Sequence, residues 1–354
     1  MSEELFDGSL TPSPQLLKRK IEEVDDVLNL PPSKTQETYV KHPDHWALDG
    51  NVLLQIGNTR FSVHRSRLAT HSLWFEALFA ARSQLPFDPD YDGLQSALES
   101  VEVVNSHDLF YLDYTGSGVR APNAEEFTAL LTAMDNAMYV YHCPLDVIVI
   151  DRFYSEYVNN RPSFNVLKEI LAAADFYRFD KFLKFATECI IALFPQTVQA
   201  ITSTEIPNSF EAVSVAREYD IHEIWPASFY QLARLKPPIN NDEFRNLTRA
   251  DLVKLLDLQK RIVLFWNDIL DIVAHDCKVP NCVMFHTEQV RLIKKKHPLD
   301  PIVGISRLIK RDWGTGDARS CGRPLEEFIN KLRTARLKFW DEMTEMLDPD
   351  SERD

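Results

Sequence analysis

A change of hydrophobic period within residues 51–79 constrains the fold more than any other feature of the sequence. "NVLLQI" and "FSV" are short apolar runs joined by "GNTR", whose glycine and asparagine favour a tight turn, so this part predicts a β-hairpin. Beyond the hairpin, Leu68, Phe75, Leu78 and Phe79 recur at helical spacing. We therefore expect a helix that packs on the hairpin.

Short extended runs and longer helical segments follow, in an order typical of an α+β fold. "VEVV" and "LFYLDY" predict two more strands, and "NAEEFTALLTAMDNAMYV" predicts a helix with Asn123 as its N-cap. Pro162 and Pro195 bracket a predicted pair of helices, because proline is poorly tolerated inside a helix. The apolar faces of this pair are predicted to contain Val166, Ile170, Ala173 and Ala174 in the first helix and Phe182, Phe185 and Ile190 in the second.

The chain of 354 residues is long enough for two cores, and its composition divides it into three parts. Residues 1–43 contain "TPSPQ" and "NLPPSKTQ" around a charged patch, which predicts a mostly disordered acidic arm. An α+β domain is expected over 44–200. Helical spacing dominates 201–350, most clearly in "RADLVKLLDLQKRIVLFWNDILDIVAH" and "PLEEFINKLRTARLKFWDEMTEML".

Charge and cysteine usage narrow the class of protein. The formal net charge is −14, from 53 acidic and 39 basic residues, which disfavours a general nucleic-acid-coating role. No apolar run approaches the length of a transmembrane helix, and the opening "MSEELFDGSL" is acidic rather than signal-like. Few and unevenly spread cysteines predict a reduced intracellular protein of the cytoplasm or nucleus; they are Cys143, Cys189, Cys277, Cys282 and Cys321.

The segment "GNVLLQIGNTRFSVHRSRLATHSLWFEALF" resembles the opening of a BTB/POZ domain, and the later "ILAAADFYRFDKFLKFATECI" resembles that domain's paired helices. The start and the long helical tail are most similar to the BTB proteins abundant in mushroom-forming fungi. Asn51 departs from the family pattern, which usually has an aspartate there. The positions that carry the resemblance are Phe61, Val63, His64, Leu68, Ser72 and Phe75.

The resemblance implies a BTB/POZ-like domain over 44–200, made of short strands with helical hairpins, followed by a mainly helical region. It also implies a non-enzymatic protein–protein interaction module that binds protein partners or forms a homodimer. Two family roles follow: substrate adaptor for a cullin-type ubiquitin ligase, and transcriptional co-regulator. His64 is expected to be a structural histidine, hydrogen-bonded where the strand turns into the helix.

No constellation for catalysis or for a cofactor stands out. The sequence has no G-x-S-x-G elbow, Walker loop, G-x-G-x-x-G or H-E-x-x-H motif. His142 and Cys143 are adjacent, but a thiol nucleophile usually takes its base from elsewhere in the fold. "WGTGD" at 313–317 reads as a loop. We therefore predict no catalytic residue, no cofactor and no enzymatic activity.

A zinc site is the alternative that the cysteines leave open. Cys277 and Cys282 form a C-x₄-C pair, with His275 and His286 on either side and Cys321 further along. Tetrahedral zinc needs four ligands, usually as two close pairs, and "CGRP" lacks the second cysteine of a later pair. Reduced or buried cysteines are the main interpretation, and no metal ligand is assigned.

An acidic stretch and a basic stretch complete the candidates. "DPDYDGLQSALE" at 88–99 matches a calcium-loop pattern, but the "VEVV" that follows reads as strand where an EF-hand needs a helix. We expect a solvated surface loop there, with calcium binding as the alternative. Residues 285–311 hold seven lysines and arginines against two acids without a nucleic-acid recognition motif, which predicts a solvated helix end.

Overall fold

Two apolar strands and the tight turn between them form the centre of the sheet in the computed structural model. β2 (Val52–Ile56) pairs antiparallel with β3 (Thr59–Val63), and Gly57 in the turn has φ +55°, a conformation that glycine adopts without strain. The predicted hairpin is confirmed. The structure describes residues 39–86, 91–116, 119–138, 162–235, 244, 247–275, 280–311, 313 and 325–348.

Three more strands complete a five-stranded sheet of order β1-β3-β2-β5-β4. The predicted strands are confirmed as β4 (Glu102–Val104) and β5 (His107–Tyr111). β1 (Val40–Trp46) lies parallel to β3 at one edge, so the sheet begins inside the segment 1–43 that the sequence assigned to an arm. A separate pair contains β6 (Thr115–Gly116) and β7 (Val119–Arg120).

The helix expected after the hairpin is two helices, α1 (Arg65–His71) and α2 (Leu73–Arg82), divided at Ser72. The backbone of Ser72 is extended, and its Oγ accepts a hydrogen bond from Phe75 N at 2.9 Å while donating one to Tyr177 O. This serine therefore caps α2 from within the expected helix, which makes the prediction of one continuous helix wrong.

α3 (Leu94–Glu99) and α4 (Ala124–Met138) follow along the chain, and the predicted N-cap of α4 is confirmed. Asn123 Oδ1 accepts from the backbone N–H groups of Glu125 and Glu126, and the Glu126 carboxylate accepts from Asn123 N at 2.8 Å. This reciprocal capping satisfies backbone donors that the first helical turn leaves free.

α5 (Phe164–Phe176) and α6 (Asp180–Leu193) are the predicted helix pair. The predicted apolar positions are buried, with one exception: Val166 is exposed. Ser163 Oγ accepts from Val166 N, which places Val166 in the first turn, where its side chain faces a groove described below. The assignment of Val166 to the core is therefore wrong.

The C-terminal part is helical, as expected, and shares the core of the sheet. Buried apolar residues from Val52 to Leu347 form one connected cluster across the division that we placed after residue 200. Among the described residues, no helix combines the length and apolarity needed to cross a bilayer. The helices are α7 (Ser209–Glu218), α8 (Trp225–Arg234, preceded by a 3₁₀ turn, His222–Ile224), α9 (Arg249–His275), α10 (Pro280–Lys296), α11 (Pro301–Ile309) and α12 (Leu325–Leu347).

Aromatic and polar contacts hold these helices together. Phe265 of α9 stacks on Phe339 of α12 with ring centroids 4.5 Å apart. The Tyr230 hydroxyl in α8 donates to Asp300 Oδ1 at 2.7 Å and accepts from Ile302 N at 3.0 Å, so it links α8 to the start of α11. The chain has a mixed fold of strands and helices, and the predicted α+β class is confirmed at that level.

Candidate functional site

An open groove of about 590 Å³ lies between β1 and β3 on one side and α4 and α5 on the other. Small residues on α4, Ala129 and Ala133, stand one helical turn apart and leave room that longer side chains would fill. Val166 and Ile170 of α5 supply the facing apolar wall. The polar lining residues are His42, Thr59, Glu125, Thr128, Thr132 and Glu169.

His42 of β1 is fixed against α4 in its neutral form. Its Nδ1 accepts from the backbone N–H groups of Asp44 and His45, each at 3.2 Å, so the proton is on Nε2. Nε2 lies 3.0 Å from Thr128 Oγ1, which itself donates to Ala124 O. Burial and the neighbouring His45 lower the pKa of His42, although Asp44 opposes this.

His45 makes the second attachment of β1 to α4. Its Nε2 lies 3.2 Å from Thr132 Oγ1, and its Nδ1 lies 3.4 Å from Asp135 Oδ2. Arg67 Nη2 lies 2.6 Å from the other oxygen of Asp135. Burial favours the neutral form of Asp135, but His45 and Arg67 outweigh this and hold its pKa below its ordinary value.

Thr132, His45 and Asp135 follow the hydroxyl–imidazole–carboxylate order of nucleophilic catalysis. Acyl transfer also needs donors for the developing oxyanion, and Thr132 lies inside α4, where backbone N–H groups are used in the helix. We therefore interpret the three residues as contacts that attach β1 to α4. The sequence analysis missed them; the spacing of Thr128 and Thr132, one helical turn apart, was the available signal.

The rim of the groove carries negative charge. Burial raises the pKa of Glu169, and the nearby carboxylates of Glu125 and Glu126 raise it further, while Lys168 acts in the opposite direction. Lys168 is 3.6 Å from Glu211, with which it forms an ion pair. Among the described residues, no lysine or arginine forms an ion pair with Glu125 or Glu169. The groove is thus apolar inside and acidic at its edge.

A second cavity, of about 600 Å³, lies between the end of α5, α7 and the strand β7. Its charges are partly paired inside the protein: Arg120 contacts Glu126, and Arg178 lies 3.7 Å from Asp180. Burial and the neighbouring Glu218 raise the pKa of Tyr219 on its wall. These ion pairs join β7 to α4 and the turn after α5 to the start of α6, and we interpret the cavity as structural.

The zinc hypothesis remains a hypothesis. Cys277 and Cys321 lie outside the described residues, as do the side chains of His275 and Cys282. The ring of His286 is described; it stacks on Phe328 at 5.5 Å and lies 5.0 Å from Trp313. Within the described part of the chain, no three His, Cys, Asp or Glu side chains are grouped as metal ligands would be.

The residues considered for a thiol nucleophile and for a glycine loop lie largely outside the described part of the chain. His142 and Cys143 lie outside the described residues, and so does "WGTGD" except for Trp313. Trp313 is buried and donates from Nε1 to Leu308 O at 3.0 Å. Cys189 of α6 is half-buried and packs against the apolar core.

Part of the acidic stretch is helix, not loop. Asp88 and Asp90 lie outside the described residues, but Leu94–Glu99 forms α3, with Leu94 and Ala97 buried. The carbonyl oxygen of Asp92 accepts from Trp74 Nε1 at 2.9 Å. The expectation of a solvated loop is wrong for α3, because its apolar residues pack on the core.

The basic stretch lies on α10 and α11, and its lysines end a helix, as expected. Lys294, Lys295 and Lys296 occupy the last turn of α10, where the helix dipole favours cations. Val290 and Ile293 of the same helix are buried. The lysines therefore end α10, a helix whose opposite side chains pack in the core.

His64 occupies the junction at which it was expected. His64 stands directly before α1, and its Nε2 lies 3.3 Å from Oδ1 of Asp49, which precedes β2. Asn51, the residue that departs from the BTB pattern, accepts a hydrogen bond on Oδ1 from Arg65 N at 2.8 Å. Both side chains therefore fix the passage from β3 into α1.

No family model matches the sequence, no curated protein matches it, and no solved structure matches the fold.

Proposed function

We propose that this protein is a non-enzymatic protein-interaction module with a BTB/POZ-like core, and that the groove between β1, α4 and α5 binds a protein partner. The observation that carries the proposal is the groove itself, an open apolar surface with an acidic rim. A hydrophobic centre surrounded by polar residues is the usual arrangement of a protein-binding surface.

The local roles of the residues that resemble the BTB pattern support the first half of the proposal. Phe61, Leu68 and Phe75 are buried in the core that joins the hairpin to the helices. Ser72 caps α2, and His64 contacts Asp49 where β3 passes into α1. Burial, helix capping and a side-chain contact therefore explain why these residue types occur at the positions that resemble the BTB pattern.

The lining of the groove suggests the chemistry of its partner. Val166 and Ile170 suit apolar side chains, and Glu125 and Glu169 suit a lysine or an arginine beside them. The partner segment is therefore apolar with at least one basic residue. Strand addition at β1 fits less well, because Pro43 interrupts this edge strand and Lys41 lies over the ring of Trp46.

We propose two alternative cellular roles for such a protein-interaction module. A cullin-type ubiquitin ligase would use the module as a substrate adaptor, and a co-regulator would act through a partner that binds DNA. Co-elution of the purified chain with a purified cullin separates these roles, since the adaptor role requires a stable complex between the two proteins.

Quantitative affinity purification from the native cell tests the groove with matched variants. Val166→Glu places a third carboxylate in the groove, and Val103→Glu makes the same change on the exposed edge strand β4. We expect Val166→Glu to lose partners that the wild type and Val103→Glu retain. An unchanged set of partners for Val166→Glu would reject the proposal.

A further inference from the structure

The outward face of α9 carries an apolar stripe. Val253, Leu256, Val263 and Leu264 are each between 44% and 64% exposed, although they belong to a helix whose other face is fully packed. Contiguous exposed apolar surface is uncommon on soluble proteins and marks a contact surface. The packed face contains Leu255, Leu258, Ile262, Phe265, Trp266 and Ile269.

Two charged residues lie within the stripe. Asp257 and Lys260 are exposed, and neither side chain forms a hydrogen bond or an ion pair with another described residue. Arg261, on the flank of the stripe, contacts Glu342 of α12, so its charge is already paired within the chain. The stripe thus offers one acid and one base, together with its apolar side chains, to a second surface.

The order of these residues along α9 is self-complementary. Val253 and Leu264 lie at equal distances on either side of the point between Leu258 and Gln259, and so do Asp257 and Lys260. A two-fold axis at that point would bring two copies of α9 together antiparallel. Each Val253 would then face Leu264 of the partner subunit, and each Asp257 would face Lys260 of the partner subunit.

The remaining apolar residues fit the same arrangement. Leu256 and Val263 lie on one flank of the stripe, and the two-fold axis brings that flank against the same flank of the partner subunit. The two residues are not equidistant from the axis, so Leu256 and Val263 of the partner subunit are offset by two residues, about 3 Å along the helix. A parallel pairing would instead set Asp257 against Asp257 and Lys260 against Lys260, which is repulsive. The charges therefore select the antiparallel arrangement.

We propose that α9 is a self-association surface, at which two copies of this chain pair antiparallel through the stripe. No residue of the stripe lines the groove between β1, α4 and α5, so this inference does not rest on the proposed function. Its consequence for function is bivalency, because a dimer presents two grooves to a partner that carries two binding segments.

Sedimentation velocity over a concentration series tests the surface. The wild type is expected to shift from monomer to dimer as its concentration rises through the micromolar range. Leu256→Asp and Val263→Asp are each expected to weaken dimerisation at least tenfold, because each buries a carboxylate in the apolar contact. Leu337→Asp is the matched control, since Leu337 is 42% exposed on α12, outside the stripe.

A charge exchange tests the register of the pairing. Asp257→Lys alone and Lys260→Asp alone each place like charges opposite one another, so each variant is expected to remain monomeric. In an equimolar mixture, the chain with two bases meets the chain with two acids, and a one-to-one dimer is expected. Circular dichroism melts check that every variant is folded.

Three results would overturn the inference. A wild type that stays monomeric throughout the series removes the dimer. A dimer that Leu256→Asp and Val263→Asp leave unchanged lies on another surface. A mixture of the two charge variants that does not associate contradicts the antiparallel pairing, because that pairing places the two bases of one chain opposite the two acids of the other.

Discussion

His42 Nε2 lies 3.0 Å from Thr128 Oγ1, and this contact joins the edge strand β1 to the wall of the groove. His45 repeats the arrangement one turn further along α4, with Thr132 and Asp135. Because both histidines come from β1, the shape of the groove depends on their hydrogen bonds. The protonation state of His42 therefore bears on whether β1 stays attached to α4 and the groove keeps its shape.

Stability should fall as the pH drops through the ordinary pKa range of histidine. The folded state lowers the pKa of His42, chiefly by burial, so the unfolded state binds more protons below about pH 6.5. The free energy of unfolding therefore decreases on acidification in that window. Urea denaturation at about pH 7.5 and about pH 5.5 measures the difference. His42→Gln should reduce this difference; an equal fall in the wild type and in His42→Gln would contradict the assignment.

Ser72→Ala should destabilise the protein by about 2 kcal/mol, because it removes the N-cap of α2 and leaves Tyr177 O without its donor. Ser100→Ala is the comparison, since Ser100 Oγ donates to Ser96 O at the end of α3. Chemical denaturation of both variants gives the two values. A loss from Ser72→Ala no larger than that from Ser100→Ala would refute the capping role.

Gly304→Ala should destabilise the protein by about 1–3 kcal/mol through overpacking. A Cβ at this position would lie 2.7 Å from Cη2 of Trp266, which is fully buried, so the packing around the ring would have to shift. In a Trp266→Phe background the same substitution should be less damaging, because the smaller ring frees that space. A double-mutant cycle from denaturation midpoints measures this coupling, and additive effects would contradict the close packing.

Neutralising the acidic rim should weaken partner binding without unfolding the protein. In Glu125→Gln/Glu169→Gln the groove keeps its apolar walls but loses two carboxylates that would meet a basic residue of the partner. Binding by the wild type should also weaken on acidification, since the raised pKa of Glu169 favours its neutral form. Glu345→Gln, on an exposed face of α12, should bind like the wild type. Retained binding by the double variant would exclude charge recognition.

The elements that depend on neighbouring residues could be predicted from the sequence. The β2–β3 hairpin, the Asn123 cap and the α5–α6 pair each follow from turn chemistry, capping or helical spacing. The division at Ser72 was missed because its second hydrogen bond joins it to Tyr177, far along the chain.

The groove was missed for the same physical reason. Its walls come from β1, β3, α4 and α5, and local patterns do not show which of these elements lie together. Val166 illustrates the difficulty, since its spacing suits a buried face while its place in the first turn of α5 exposes it. His42 was assigned to the arm because the proline-containing stretches and the charged patch of 1–43 predicted disorder, whereas β1 begins at Val40 and includes Pro43, which an edge strand tolerates.

Site-specific photo-crosslinking from the groove tests the central claim most directly. A photoreactive phenylalanine analogue would replace Val166 in one protein and Val103, the exposed valine of β4, in a second, both expressed in the native cell. We predict that illumination crosslinks a discrete protein partner from position 166 and not from position 103. Crosslinks that are absent from position 166, or identical from both positions, would contradict the assignment of the groove as the partner-binding surface.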